Sequence, residues 1–133
     1  MERKVNIIHD LDGKEIVFIQ DIVFKGRQNI TWSDVETYLK QFVGECYEIS
    51  DTKDLVYIGA DLPDEYCRSE YTSGLKGANA KAKANATQGI PELIEIATSK
   101  RFSANVKEKH NKDAKYGWYR YNSRFALPIF DND

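Results

Sequence analysis

Short apolar runs separated by turn signals mark the first half of the chain. The stretch VNIIHDLDGKEIVFIQDIVF contains two β-rich runs on either side of Asp12-Gly13, and this pattern predicts an antiparallel hairpin. A second hairpin is predicted where CYEI and LVYIG flank the polar segment SDTKD. These hairpins supply the strands of a small antiparallel sheet.

Between the hairpins the apolar spacing becomes that of a helix, with side chains three or four residues apart at Val35, Tyr38, Leu39, Phe42 and Val43. Thr31 or Ser33 is placed to cap its first turn, and Gly44 is a typical stop. The acidic stretch DLPDEY predicts another helix start, and Pro91 is suited to the first turn of a further helix.

The stretch GLKGANAKAKANATQG, residues 74–89, has five alanines, three lysines and no acid. Alanine and lysine favour a helix, but this one would have almost no apolar face. We therefore expect a helix that is solvated, mobile or laid against an anionic partner. Its lysines are candidate nucleic-acid contacts: Lys76, Lys81 and Lys83.

The closing stretch KYGWYRYNSRF, residues 115–125, holds five aromatic rings, a lysine and two arginines, and no acid. Its first three residues end the segment KRFSANVKEKHNKDAKYG, residues 100–117, which is predicted to be a polar, basic helix. The other eight begin the segment WYRYNSRFALPIF, residues 118–130, which is predicted to be an edge strand. In one continuous strand, Trp118, Arg120, Asn122 and Arg124 share a face, while Tyr119, Tyr121, Ser123 and Phe125 share the other.

Two interpretations of that strand remain open. In the first, the arginines, about 13 Å apart along the strand, grip phosphates of a single-stranded nucleic acid, and Trp118 or Tyr119 stacks on its bases. In the second, Trp118 packs in the core and the arginines pair with acids of the N-terminal half.

Length and composition indicate a single α+β domain over residues 1–133, a small antiparallel sheet with about three to five helices packed on it. The chain has 133 residues, 41% of them hydrophobic, which is enough for a core. Residues 1–66 carry 7 basic and 14 acidic side chains, net −7, and residues 67–133 carry 12 and 7, net +5. Such asymmetry suits a nucleic-acid or acidic partner, or else two halves that attract each other in the fold.

Several classes of protein have no signal in this sequence. Cys46 and Cys67 fit no zinc spacing and are expected to be buried or free thiols. No signal peptide, membrane span, phosphate-binding loop or dinucleotide fingerprint is evident. We expect a cytoplasmic protein with no cofactor and no metal, in which Asp61, Asp64 and Glu65 serve a helix start.

Candidate chemistry at neutral pH falls to the two histidines, His9 and His110, and the basic neighbours of His110 favour it. A metal-independent ribonuclease needs a base, an acid and cations that stabilise the phosphorane. His110 with Glu108 or Tyr116 supplies the base and the acid. The full set of candidate catalytic positions is His110, Lys115, Tyr116, Arg120 and Arg124. The alternative is that His110 is an ordinary surface residue.

Two segments of the chain resemble a domain of polyvalent proteins of phages and conjugative elements: LKGANAKAKANATQGIPELIEIAT and EKHNKDAKYGWYRYNSRFALPIF. We associate that domain with the barnase, EndoU, colicin and RelE superfamily of nuclease folds. The resemblance runs from about IVFIQDIVFKGRQ to the C-terminus and implies metal-independent RNA cleavage on an antiparallel sheet, with the set above as candidate positions. Similar domains continue into further strands after LPIF, so a shortened relative that binds without cutting is also expected.

A second function class follows from the same resemblance, because mobile elements redeploy such domains as inhibitors of host defence, including anti-CRISPR proteins. In that case a host protein is the partner, and the acidic half is the binding surface. A structural module of a larger phage assembly is the third alternative. The partner is thus RNA, other single-stranded nucleic acid, or a host protein, and no membrane.

Overall fold

The computed structural model describes residues 3–26, 29–104 and 118–128 of the chain. These residues form seven strands and five α-helices in an α+β arrangement, which confirms the fold class. The strands divide among three small sheets rather than one. All pairings are antiparallel except that of the last strand.

The first hairpin forms as predicted, with β1 (Val5–His9) antiparallel to β2 (Glu15–Ile19). At its turn, the carboxylate of Asp10 accepts hydrogen bonds from the backbone N–H groups of Asp12 and Lys14, at 2.8 and 2.9 Å. Gly13 has φ +80°, a conformation that glycine adopts without steric cost. The turn is therefore fixed by local chemistry.

The predicted first helix is α1 (Trp32–Leu39), which continues into a 3-10 turn over Lys40–Phe42 and packs against α2 (Leu62–Arg68). The buried cluster here consists of Val35, Leu39, Phe42, Ile58, Cys67 and Ala84. Thr31 precedes α1, but its side chain makes no capping hydrogen bond. No helix of the described ranges is long and apolar enough to cross a membrane.

The second hairpin is also confirmed, as β3 (Cys46–Glu48) antiparallel to β4 (Leu55–Tyr57). After α2, the short helix α3 (Glu70–Ser73) begins at Ser69, whose hydroxyl accepts from the backbone N–H of Thr72. The helix start predicted at DLPDEY is correct, because α2 begins at Leu62 with Asp64 and Glu65 in its first turn. Asp61 occupies the N-cap position, but its side chain makes no capping hydrogen bond.

The Ala/Lys stretch forms α4 (Gly77–Ala86), but the prediction that it lacks core contacts was wrong. Ala80, Ala84, Asn85 and Ala86 are buried. Alanine methyl groups allow the backbone of a helix to approach its neighbours closely, so a helix of low hydropathy can still be buried. A 3-10 turn over Thr87–Gly89 and then α5 (Ile90–Glu95), which starts with Pro91 in its first turn, follow directly.

The final strands correct two predictions. Residues 100–103, expected in a helix, belong to β5 (Thr98–Ser103), which pairs antiparallel with β6 (Trp118–Asn122). The rest of that predicted helix, from 105 to 117, lies outside the described residues. The expected continuous strand also breaks after Asn122, and β7 (Phe125–Ala126) pairs in parallel with β2 in another sheet.

Long-range packing explains the break. The backbone N–H of Val17 donates to the carbonyl of Arg124 at 2.9 Å, and Phe125 and Leu127 pack on a second buried cluster of Val17, Ile19 and Ile96. The apolar end of the strand is therefore drawn into the core beside β2, while its aromatic and basic beginning stays with β5.

The two oppositely charged halves of the sequence attract each other in the fold. Seven ion pairs occur within the described residues, and five of them join residues 1–66 to residues 67–133. Four of these five pair an acid of residues 1–66 with a cation of residues 67–133, and the shortest of the four joins Arg68 to Glu36 at 2.7 Å. Part of the charge asymmetry is therefore satisfied inside the molecule.

Candidate nucleic-acid interface

The strands β5 and β6 form a two-stranded ribbon that carries cations and no acid. Their sequences, TSKRFS and WYRYN, contain Lys100, Arg101 and Arg120 but neither aspartate nor glutamate. Most of their side chains are exposed. The ribbon therefore presents positive charge to solvent.

The strand register places Arg101 directly opposite Arg120, so the two side chains lie on the same face. Side chains in such positions have Cβ atoms about 5 Å apart, and like charges there repel each other. Both residues are exposed, and within the described parts of the chain no carboxylate forms an ion pair with either. An anion bound between them would relieve this repulsion.

Neutral contacts hold both guanidinium groups in place. Arg101 donates from Nη1 to the carbonyl of Ser99 at 2.9 Å and from Nη2 to Oδ1 of Asn122 at 3.1 Å. The guanidinium carbon of Arg120 lies 5.8 Å from the ring centroid of half-buried Trp118. We name this surface, formed by Arg101, Trp118, Arg120 and Asn122, the arginine face.

The opposite face of the ribbon is aromatic. Phe102 and Tyr119 pair across the strands in an edge-to-face contact, with ring centroids 5.5 Å apart, and they are 59% and 56% exposed. The Nζ atom of Lys100 lies 4.4 Å from the centroid of the Tyr119 ring. Tyr119, a predicted nucleic-acid contact, is thus on the side away from Arg120.

Asp54 anchors the ribbon to the turn before β4. Its Oδ2 atom accepts hydrogen bonds from Lys100 at 2.8 Å, from Tyr121 at 2.6 Å and from Thr52 at 2.8 Å. These contacts, with Lys100 the strongest, lower the pKa of Asp54 from 3.8 to about 2. The same contact with Asp54 raises the pKa values of Lys100 and Tyr121.

The lowered pKa predicts how the anchor responds to acid. Because the folded state holds the proton of Asp54 less tightly than the unfolded state, the carboxylate stabilises the fold above about pH 4, and this contribution is lost as the pH falls toward about 2. We expect Asp54→Asn to lower the melting temperature near neutral pH and to differ less and less from the parent below pH 4. Thermal melts monitored by circular dichroism across this pH range measure the difference.

Asp51→Asn, which changes a nearby exposed carboxylate with no ion pair in the described residues, is the control for that experiment. Melting curves of parent and Asp54→Asn that stay a constant distance apart from neutral pH to pH 2 would contradict the role of Asp54.

Arg124, predicted to share a face with Arg120, is separated from it by the break after Asn122. Its Nη2 atom pairs with Oδ2 of Asp10 at 3.0 Å and lies 3.4 Å from the carbonyl oxygen of Glu15. The hydrogen bond from the backbone of Lys14, followed by the contact with Arg124, lowers the pKa of Asp10. For Arg124, pairing with an acid of the N-terminal half is therefore the correct interpretation.

The three lysines around α4 lie in different surroundings. Lys76 is exposed and Lys81 is half-buried. Lys83 is packed between the rings of Tyr66 and Tyr71, 4.6 and 5.1 Å from their centroids, and its Nζ donates to the hydroxyl of Thr72. Desolvation lowers the pKa of Lys83. Lys83 thus has a structural contact of its own, whereas Lys76 is accessible to a ligand.

The remaining predicted site residues, His110, Lys115 and Tyr116, lie outside the described residues. In contrast, two charged residues that the sequence did not single out are central to the ribbon: Arg101 and Asp54. The alternation of TSKRFS was the available signal for Arg101, but its lysine and arginine were interpreted as the start of a helix.

The described residues offer no evident metal site. Both cysteines are free thiols, with Cys46 exposed and Cys67 buried. Across residues 3–26, 29–104 and 118–128, no three histidine, cysteine, aspartate or glutamate side chains are grouped as metal ligands.

Comparisons of this chain with protein-family models, with curated proteins and with solved structures find no match.

Proposed function

We propose that this chain is a nucleic-acid-directed domain of a mobile genetic element that binds single-stranded nucleic acid, foremost RNA, across the arginine face. The observation that supports it best is the pair Arg101 and Arg120, two exposed guanidinium groups directly opposite each other. Guanidinium groups bind phosphate through two parallel hydrogen bonds, and a bound backbone replaces their mutual repulsion with attraction.

Three further features fit a flexible strand better than a rigid duplex. The arginine face is short, because β6 has only five residues. Trp118 lies beneath Arg120, so a base can stack on the exposed guanidinium group that the ring supports. Asn122 adds an amide whose oxygen is already bonded to Arg101, which leaves its amino group as a donor.

We further propose that the domain cleaves RNA without a metal, as the resemblance to nuclease folds implies. His110 would take the proton of a ribose 2′-hydroxyl, whose oxygen attacks the adjacent phosphorus, and Tyr116 would protonate the departing 5′-oxygen. Lys115 and Arg120 would stabilise the charge that builds up on the phosphorane. The products would be a 2′,3′-cyclic phosphate and a free 5′-hydroxyl.

Incubation of the purified protein with labelled single-stranded RNA in EDTA, read on gels for both cleavage and retardation, tests the two parts of the proposal. We expect a retarded complex, cleavage by the parent, and loss of cleavage without loss of retardation in His110→Ala. His9→Ala, which changes an exposed histidine of β1, is the matched control. Equal cleavage by parent and His110→Ala would reject the assigned catalytic role, and the absence of any retarded complex would reject RNA binding.

A second candidate function is inhibition of a host defence protein through a surface of the acidic N-terminal half. It is favoured by the outer face of the β3–β4 hairpin, where Leu55 and Tyr57 are 70% and 67% exposed. Cross-strand pairing places Cys46 and Glu48 on that same face. Two results together would favour this function. The protein would neither cleave nor retard RNA, and the parent would retain a host protein that the variant Leu55→Ser/Tyr57→Ser does not retain.

A further inference from the structure

A groove of about 440 Å³ opens where the turn of the first hairpin meets the end of the β5–β6 ribbon. Its size lies within the range of about 300 to 1,000 Å³ that is usual for small-molecule sites. Six of the residues that line it carry the argument: Lys14, Glu15, Thr98, Ser99, Asn122 and Arg124. All of these are polar or charged.

One wall supplies two cations. Both contacts that fix Arg124, to Asp10 and to the carbonyl of Glu15, use its Nη2 atom. Its Nε and Nη1 groups therefore keep their donors free of partners among the described residues. Lys14, from the same hairpin, forms no ion pair with any described carboxylate. A guanidinium and an ammonium that line the same groove are suited to a phosphate group.

The other wall is a bulge at the end of the ribbon. The register shifts between the pairs Thr98 with Asn122 and Arg101 with Arg120, so the chain bends at Ser99. Ser99 has φ +59°, a conformation that residues other than glycine adopt rarely and mostly at turns or functional sites. Arg101 bonds the Ser99 carbonyl and the Asn122 side chain together, and so holds this polar wall in shape.

We propose that this groove binds one nucleotide, with the phosphate between Lys14 and Arg124 and the nucleoside against Thr98, Ser99 and Asn122. Glu15 also lines the groove. Its carboxylate would repel a phosphate but accepts a hydrogen bond from the amino group of a base, as in the pairing of glutamate with cytosine N4. The ligand class is therefore a nucleotide whose base carries an amino group, with cytidine monophosphate as the probe.

This inference rests on the proposed function, because Asn122 belongs both to the groove and to the arginine face. A strand that crosses Arg120 and Arg101 reaches the groove next. The groove would then fix one base of the strand, while the arginine face, which contacts phosphates, would accept any sequence.

Titration of the full chain with cytidine monophosphate, followed by ¹H–¹⁵N correlation spectra, tests the proposal. We expect millimolar affinity, with shifts concentrated at Lys14, Ser99 and Asn122, and weaker binding of uridine monophosphate, which lacks the amino group. Lys14→Gln should bind about tenfold more weakly, because one charge-assisted contact is lost. Lys4→Gln, which changes an exposed lysine just before β1, is the control and should bind like the parent.

Arg124→Gln provides a second variant; a stable fold with unchanged affinity for the nucleotide would count against the proposal. Equal competition by inorganic phosphate would overturn it in favour of a simple anion site, and the absence of shifts at the groove would overturn it altogether. RNA retardation without nucleotide binding would reject the groove alone. Nucleotide binding without RNA retardation would reject the arginine face and retain the groove.

Discussion

Asn85→Ala is expected to lower the free energy of unfolding by about 3 kcal/mol, or the melting temperature by about 10 °C. Asn85 is fully buried in α4, and its side chain takes part in four hydrogen bonds. It accepts from the backbone N–H of Phe24 at 3.0 Å and donates to the carbonyl of the same residue at 2.9 Å. Its loss leaves the part-buried peptide groups of Phe24 without these partners.

The large effect follows from where Phe24 lies. Residues 20–26 leave β2 and belong to no sheet, so their backbone groups need partners from elsewhere. Asn85 bonds the peptide groups of Phe24 as a neighbouring strand would, and Gln88 donates to the carbonyl of Asp21 at 2.9 Å. The two amide side chains are themselves joined by a hydrogen bond of 3.0 Å. Networks of this kind lose more than one contact when one member is removed.

Urea denaturation of Asn85→Ala beside Asn79→Ala measures the effect. Asn79 is exposed on the same helix, so its replacement controls for the change in helix propensity. Failure of Asn85→Ala to fold would agree with the expectation. A stability within about 0.5 kcal/mol of the Asn79→Ala variant would contradict the structural role of the buried amide.

Local signals were sufficient for the hairpins and for α1. Asp12-Gly13 sets a tight turn between two apolar runs. The spacing of apolar residues from Val35 to Phe42 places their side chains on one face of a helix. Local signals failed for α4, because a hydropathy pattern does not register alanine as a core residue. The same pattern gives no signal for Asn85, which is a buried partner for a distant peptide group.

The ribbon shows where tertiary pairing overrides local preference. KRFS has charges that suit a helix, but Phe102 pairs with Tyr119 across the strands, and pairing of this kind decides the conformation. The break after Asn122 depends on β2, a partner about 100 residues earlier in the chain, which no pattern within the closing stretch reports. Composition was thus sufficient to predict a cationic surface at Arg120. That Arg101 lies opposite Arg120 on this surface could be known only from the strand register.

The double variant Arg101→Gln/Arg120→Gln is expected to bind single-stranded RNA about 100-fold more weakly than the parent, because two charge-assisted contacts of about 1.5 kcal/mol each are lost. Each neutralised phosphate releases counterions, so the slope of log affinity against log salt should also become shallower by about 1.4. Fluorescence anisotropy of a labelled oligonucleotide over a range of salt concentrations measures both quantities.

Two controls distinguish the contribution of the arginine face to RNA binding from the contributions of net charge and of the rest of the ribbon. Lys4→Gln/Lys40→Gln removes the same charge from exposed positions just before β1 and just after α1. It should retain affinity within about threefold, since distant exposed charges are screened by salt. Phe102→Ala alters the aromatic face and should leave the slope unchanged, since an aromatic ring releases no counterions. If the lysine variant loses as much affinity as the arginine variant, binding depends on net charge alone, and the register of Arg101 with Arg120 has no special role in it.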